Sequence, residues 1–478
     1  MQYQYANDLG QKSELRRLIS QNYACSEKEA VTKLVGSLHF SSEQEASISQ
    51  VAQQLITKIR AKKQKHYGVD ALMHEFSLGC EEGIALMCLA EALLRIPDSE
   101  TRYALINDKL KLGDWRAHVK RSGSLFTNAA SYGLLLGSKI SAALSEEILS
   151  SALMKSFAKL SAPMMKLAIE KAMGILGDQF VTGETMDDAL KNIVDREKMG
   201  YCFSFDMLGE AAMTMQDADK YLRDYVEAIH AVGRQSAGRS LYDSNGVSVK
   251  LSAIHPRYSR SQQQRVMDEL YPRLKQLFVL AKQYNIGLNI DAEEASRLEI
   301  SLDLLEKLLQ DPDLAGFDGI GFVVQAYSKR CPYVLDYIIE MNRRYQRKMM
   351  VRLVKGAYWD SEIKWAQTEG VEGFPLYTRK VHTDISYLSC AQKLLAAQDV
   401  IYPQFATHNV QTLATIAELG KDKEFEFQCL HGMGETLYDN VVGAHQFNRR
   451  VRVYAPVGTH QTLLAYLEIG RASCRERV

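Results

Sequence analysis

The chain has 478 residues, 58 Lys+Arg against 58 Asp+Glu, and a composition that is 46% hydrophobic and 24% charged. That balance excludes disordered and fibrous classes and argues against a chain whose main work is neutralising nucleic-acid phosphate. At about three times a ~150-residue domain, the length allows one large enzyme domain with a helical appendage. The eight cysteines form no C-x-x-C pair and no dense cluster, which fits a reducing, cytosolic compartment. No charged segment leads into an apolar stretch at the N-terminus, and no run approaches the ~18 apolar residues of a spanning helix, so membrane contact is expected to be peripheral.

Residues 1–75 read as a helical arm and 76–195 as a helical bundle. Apolar residues recur at three and four, as at Val51, Leu55 and Ile59, and again at Ile84, Met87, Cys88 and Ala92. Pro163 stands where a helix would begin, ahead of Met164, Leu167 and Ala168. His74, Trp115 and His118 have no convergent partners and are assigned no chemistry.

From about Gly200 short β-branched runs alternate with amphipathic segments. Eight such runs start at Tyr201, Val247, Ile286, Ile320, Met350, Gln404, Glu426 and Val451. Helical segments lie between them, among them Gln264 to Tyr284, Ser296 to Leu309, Tyr333 to Gln346 and Thr383 to Ala397. The count predicts an α/β fold, a (βα)8 TIM-like barrel over residues 196–467, since such barrels take ~250 residues. The competing open doubly wound sheet would carry G-x-G-x-x-G after its first strand, and none is present.

A barrel of this kind builds its active site at the C-terminal ends of its strands. The polar residues closing the runs are Lys250, Asp291, Gln325, Arg352 with Lys355, His408, Gln428 with His431, and Tyr454. A metal site from His408, His431, Asp291 and Glu293 lacks H-x-H, H-E-x-x-H or C-x-x-C spacing, and the lysines and arginine at the same rim would repel a cation. The cationic rim suits a carboxylate, a pyrophosphate, or both. In Arg352-Leu-Val-Lys-Gly-Ala-Tyr-Trp359, a glycine after a strand lets backbone approach a ligand while Tyr358 and Trp359 offer flat faces to a ring system.

These residues resemble the proline dehydrogenase domain of the bacterial proline utilisation A proteins. The resemblance rests on eight segments in that family's order: Val249 to Tyr258, Asp291-Ala-Glu-Glu294, Phe322 to Tyr327, Arg352 to Trp359, Tyr377-Thr-Arg-Lys380, Phe405 to Asn409, Phe427 to Met433 and Tyr454 to His460. It implies oxidation of L-proline to Δ1-pyrroline-5-carboxylate with non-covalent FAD, electrons passing to a membrane quinone, and it allows a homo-oligomer. By matching position it implies that Lys250, Asp291, Tyr358, Leu430, Tyr454 and Tyr466 surround the substrate, with Lys250 on its carboxylate. It further implies that Gln325, Arg352, Val354, Lys355, Gly356, Ala357, Trp359, Thr378, Lys380, Thr407, His408, Asn409, Gln428 and Cys429 hold the FAD. Arg352, Lys250 and Asp291 would carry the chemistry.

The sequence departs from the family near its end. The family's arginine pair, which with a glutamate clamps the substrate carboxylate, would fall on Ile469 and Gly470, and Arg471 comes one residue late, about 100° round a helix. Residues 468–478 therefore read as a truncation or an artefactual tail. Nothing in these residues leads us to expect aldehyde dehydrogenase chemistry from them, and the start in the helical arm leads us to expect no DNA binding. Two other readings stay open: an inactive barrel fragment that still binds FAD, and a lyase forming a Schiff base at Lys250 or Lys355.

Overall fold

The computed structural model describes residues 13–62, 101, 181–443, 447 and 449–459. His74, Trp115, His118, Pro163, Tyr466 and the 468–478 tail lie outside the described residues, as does most of the expected 76–195 bundle.

Eight strands form one closed barrel in sequence order, every neighbouring pair parallel. They are β1 (Tyr201–Met207), β2 (Gly246–Val249), β3 (Leu288–Ile290), β4 (Ile320–Gln325), β5 (Met349–Val354), β6 (Ile401–Ala406), β7 (Glu426–Leu430) and β8 (Arg450–Val457). The fold is the (βα)8 barrel expected, with several strand boundaries moved, two of them with consequences. β2 ends at Val249, and Leu251–Ile254 is a short helix rather than the end of a strand. β6 begins at Ile401, ahead of the expected Gln404, and includes Pro403.

Outside the barrel, helices bury apolar faces against the strands. The first crossover, Met215–Gln235, starts at a capping box in which Thr214 and Asp217 bond each other's backbone, and buries Tyr225, Ile229 and Val232. The segment expected from Gln264 is interrupted by a π-turn at Val266–Leu270 before the α-helix Tyr271–Tyr284.

Inside, the barrel is polar. Glu426 lies at its lower level, bonded by Arg452 Nε (2.7 Å), Gln404 Nε2 (2.9 Å) and Gln428 Nε2 (2.7 Å). Arg452 also donates to the backbone oxygens of Phe203, Ser244 and Tyr242. A buried ion pair survives only when its remaining hydrogen-bonding capacity is used, and here Arg452 closes one end of the barrel.

Helices α1 (Glu14–Gln21), α2 (Glu27–Ser37) and α3 (Ser42–Lys62) make up the described arm, which up to Thr57 belongs to the same compact unit as the barrel from Gly183 to Val457. Ser13 and Ser26 cap the first two by accepting from Arg16 N and Glu29 N. The buried Arg16 pairs with Asp303 and donates to Glu299 O at 3.0 Å.

Candidate active site

Strand register sets the site. Arg352 lies opposite Val323 on one side and Gln404 on the other, and Tyr454 lies between Ser204 and Leu430. Lys250 is the first residue past β2 and Asp291 the first past β3, where backbone N–H of Asp291 still donates to Val249 O. Four side chains from four strands therefore converge at the C-terminal mouth.

The Lys250 ammonium donates to both carboxylate oxygens of Asp206 at 2.7 Å and to Tyr454 Oη at 3.3 Å, and it lies 3.9 Å from Asp291 Oδ2. Asp291 in turn accepts from Arg352 at 2.9 Å and from Tyr454 Oη at 2.7 Å. The second terminal nitrogen of Arg352 bonds Ser204 and Ser248, each at 3.1 Å. The Tyr454 ring also receives the two cations on its face, Arg352 Cζ at 5.2 Å and Lys250 Nζ at 5.9 Å from its centroid.

Burial would pull the Lys250 pKa down, but Asp206 and then Asp291 outweigh it and hold the amine protonated. Burial drives the Tyr454 phenol well up, with Asp206 and Asp291 adding to the effect. Glu210, half-buried in the loop after β1, is pushed up to about 7 by burial, Lys250 opposing and Glu293 and Asp206 reinforcing.

Above this cluster opens a cavity of about 800 Å³ including its mouth. Its lining brings together Lys250, Asp291, Gln325, Arg352, Val354, Lys355, Gly356, Ala357, Tyr358, Thr407, His408, Gln428, Cys429, Leu430 and Tyr454, all of them sequence candidates, with Ala292, Val323 and Ala406 between them. Gly356 sits at φ +135°, and a β-carbon there would fall 2.4 Å from the Tyr327 ring, so only glycine fits. His408 Nε2 accepts from the backbone N–H of Leu430 at 3.0 Å, which fixes the neutral ring's proton on Nδ1.

Four of the cofactor candidates do not line the cavity, and neither does His431. Trp359 Nε1 donates to Tyr377 O at 2.9 Å, Thr378 donates to Glu27, Lys380 Nζ reaches Asp384 at 3.1 Å, and Asn409 caps the Val410–Leu419 helix by accepting from Thr412 N. Lys355 also reaches Asp384, at 2.7 Å. Several residues of the site escape sequence reading, among them Ser204 and Ser248, Asp206 and Glu210. Asp206 is the last residue but one of β1, but the first apolar run stops at Phe205, one residue short; Glu210 stands in a loop with no periodic signal.

A closed parallel barrel with cations, carboxylates and a glycine-backed cavity at its C-terminal mouth defines an enzyme of the (βα)8 class. The chain belongs to the proline dehydrogenase family: the family model described as proline dehydrogenase matches residues 189–469. A model for the proline dehydrogenase N-terminal domain of proline utilization A matches 13–60, and one described as the DNA-binding domain of proline dehydrogenase matches 68–180. That last description gives no support to the expectation that DNA is not bound. The chain is 54% identical over 474 residues to the bifunctional protein PutA of Klebsiella aerogenes, covering 97% of this chain and 36% of that protein. Proline dehydrogenase 1 of Bacillus subtilis is 28% identical over 59% of this chain and 82% of its own length. The crystal structure of Bradyrhizobium japonicum proline utilization A (mutant D778Y) superposes with a TM-score of 0.70 at 43% identity, covering 95% of this chain and 45% of that one. The chain thus spans about a third of the bifunctional relatives' length.

Proposed function

We propose that the barrel binds FAD and oxidises L-proline to Δ1-pyrroline-5-carboxylate, the first step of proline catabolism, with electrons passing on to a quinone through peripheral contact with the inner face of the cell membrane. The observation that carries the reading is the Lys250, Asp291, Arg352 and Tyr454 cluster at the mouth of a barrel of this family.

The residues fit the cofactor. Arg352 keeps its Nε buried without a hydrogen-bond partner among the described residues while lining the cavity, and Gly356 removes the side chain that would block close approach. Gln325, Gln428, Thr407 and His408 offer neutral polar groups to a heteroaromatic ring, and Lys355 a positive charge to phosphate. Bound FAD supplies the two-electron acceptor that no side chain here provides. Lys250 orients the substrate carboxylate, and Tyr358, Leu430 and Tyr454 enclose the ring. Arg352, pinned by Asp291 and two serines, places fixed positive charge where negative charge develops, an arrangement worth several kcal/mol, roughly, in a water-poor site.

A Schiff-base lyase acting through Lys250 needs an unprotonated amine there, whereas Lys250 is held protonated between two carboxylates. The test is the visible absorption spectrum, recorded anaerobically before and after L-proline. We expect a flavin band that bleaches. A band that persists reduces the chain to a cofactor-binding fragment, and no band after reconstitution with FAD refutes the cofactor reading.

A further inference from the structure

Of the bonds the arm makes to the barrel, three gather on one carboxylate. Glu27, the first residue of α2, accepts from Thr378 N at 2.9 Å, from Thr378 Oγ1 at 3.0 Å and from His382 Nδ1 at 2.5 Å. Although burial works against it, the His382 and Thr378 bonds hold the Glu27 carboxyl below its usual range. Beside it Lys329 donates through Nζ to Cys25 O at 2.9 Å and through its backbone to Pro375 O at 3.2 Å.

The segment so held is the one on which the cavity wall leans. Tyr377 N donates to Tyr327 O, Tyr327 N donates to Lys355 O, each at 2.8 Å, and the Tyr327 ring backs Gly356. Trp359, next to the lining residue Tyr358, donates to Tyr377 O, and Asp384 on the helix that follows holds Lys355 at 2.7 Å. An unbroken line of hydrogen bonds runs from an arm carboxylate to the lining of the cavity.

We infer that Glu27 is a positioning residue for the cofactor: by fixing Thr378 and His382 it sets the wall formed by Lys355, Gly356 and Tyr358 before FAD arrives. The inference rests on the FAD reading above. Ordering a binding wall in advance lowers the cost of binding, and loss of a charged acceptor holding a backbone N–H, a hydroxyl and an imidazole corresponds to about a tenfold change.

The experiment titrates the full apo-chain with FAD and follows flavin fluorescence. Glu27→Ala is expected to raise the Kd for FAD about tenfold, while Glu27→Gln, which still accepts from Thr378, stays within about threefold of the parent. Ser37→Ala removes another arm hydrogen bond to the same helix, at Ser389, and is expected to leave the Kd unchanged. The unliganded melting temperatures of Glu27→Ala and Ser37→Ala should agree. An unchanged Kd in Glu27→Ala overturns the inference, as does an equal loss in Ser37→Ala or a Kd loss that tracks a lowered unliganded melting temperature. Failure of the unmodified chain to bind FAD overturns the cofactor reading itself, and the inference with it.

Discussion

Asp206→Asn isolates the contribution of the ion pair beneath the site. Both partners are almost wholly buried, with 1% of the Asp206 side chain and 5% of the Lys250 side chain exposed. After substitution the nearest carboxylate oxygen to the ammonium is Asp291 Oδ2 at 3.9 Å, already bonded to Tyr454. Breaking a buried pair costs about 3–5 kcal/mol, and an asparagine oxygen that still accepts one hydrogen bond places this case near the lower end. For a barrel of this size that corresponds to a fall of roughly 6–10 °C in melting temperature. The pH dependence has a definite sign. With Asp206 present the folded pKa of Lys250 lies above the ordinary lysine value of 10.5, so its stabilisation is complete below that pH. In the Asp206→Asn variant burial prevails, the folded pKa drops below the unfolded one, and the deficit is largest at neutral pH and shrinks as pH rises toward 10. Adding Lys250→Met to the variant should restore much of the loss, because no buried charge is left uncompensated. Thermal melts from pH 7 to 10 check this. A melting temperature within 2 °C of the parent, about the resolution of the argument, or a deficit that grows with pH, would show that the pair does not hold the site as described.

Arg352→Met is expected to retain FAD but to slow proline-driven bleaching at least about a hundredfold, the scale of a lost preorganised charge; stopped-flow absorbance reads this, and an unchanged rate refutes the role of Arg352. Glu210 has a folded pKa raised from 4.5 to about 7, so it costs nothing below pH 4.5 and destabilises progressively as pH rises through 7. Glu210→Gln should therefore gain stability on the parent across that window, by at most about 3 kcal/mol, in urea melts; a constant difference with pH refutes it. Gly356→Ala places a β-carbon 2.4 Å from the Tyr327 ring in a conformation alanine rarely adopts, and should lower FAD occupancy in the purified protein, measured by the ratio of flavin to protein absorbance.

The barrel was legible because its strands are buried on both faces and so appear as β-branched runs, and the lining followed from the polar residue closing each run. What failed to show has local causes. Pro403 lacks the N–H of a ladder residue and hid the first half of β6. The run at Tyr201 was cut at Phe205, which removed Asp206, the closest partner of Lys250, from view. Helix periodicity carried no sign of the π-turn at Val266–Leu270. The bonds from Glu27 to Thr378 span 351 residues, and no pattern within a window of sequence encodes such a contact. Trp359, Thr378, Lys380 and Asn409 are expected at the cofactor only through the family resemblance, and the fold gives each a protein partner that no local pattern announces.

Lys250 and Arg352 face the carboxyl groups of Asp206 and Asp291, two formal cations against two formal anions gathered around one tyrosine ring. Such a quartet acts as a filter on net charge as well as on shape. A zwitterion can enter and leave without altering the electrical balance of the interior, while a carboxylate lacking the amine brings an uncompensated charge into a medium that screens it poorly. Simple carboxylate mimics of proline should consequently bind with uptake of about one proton, and their affinity should fall as pH rises where that of the amino acid holds level.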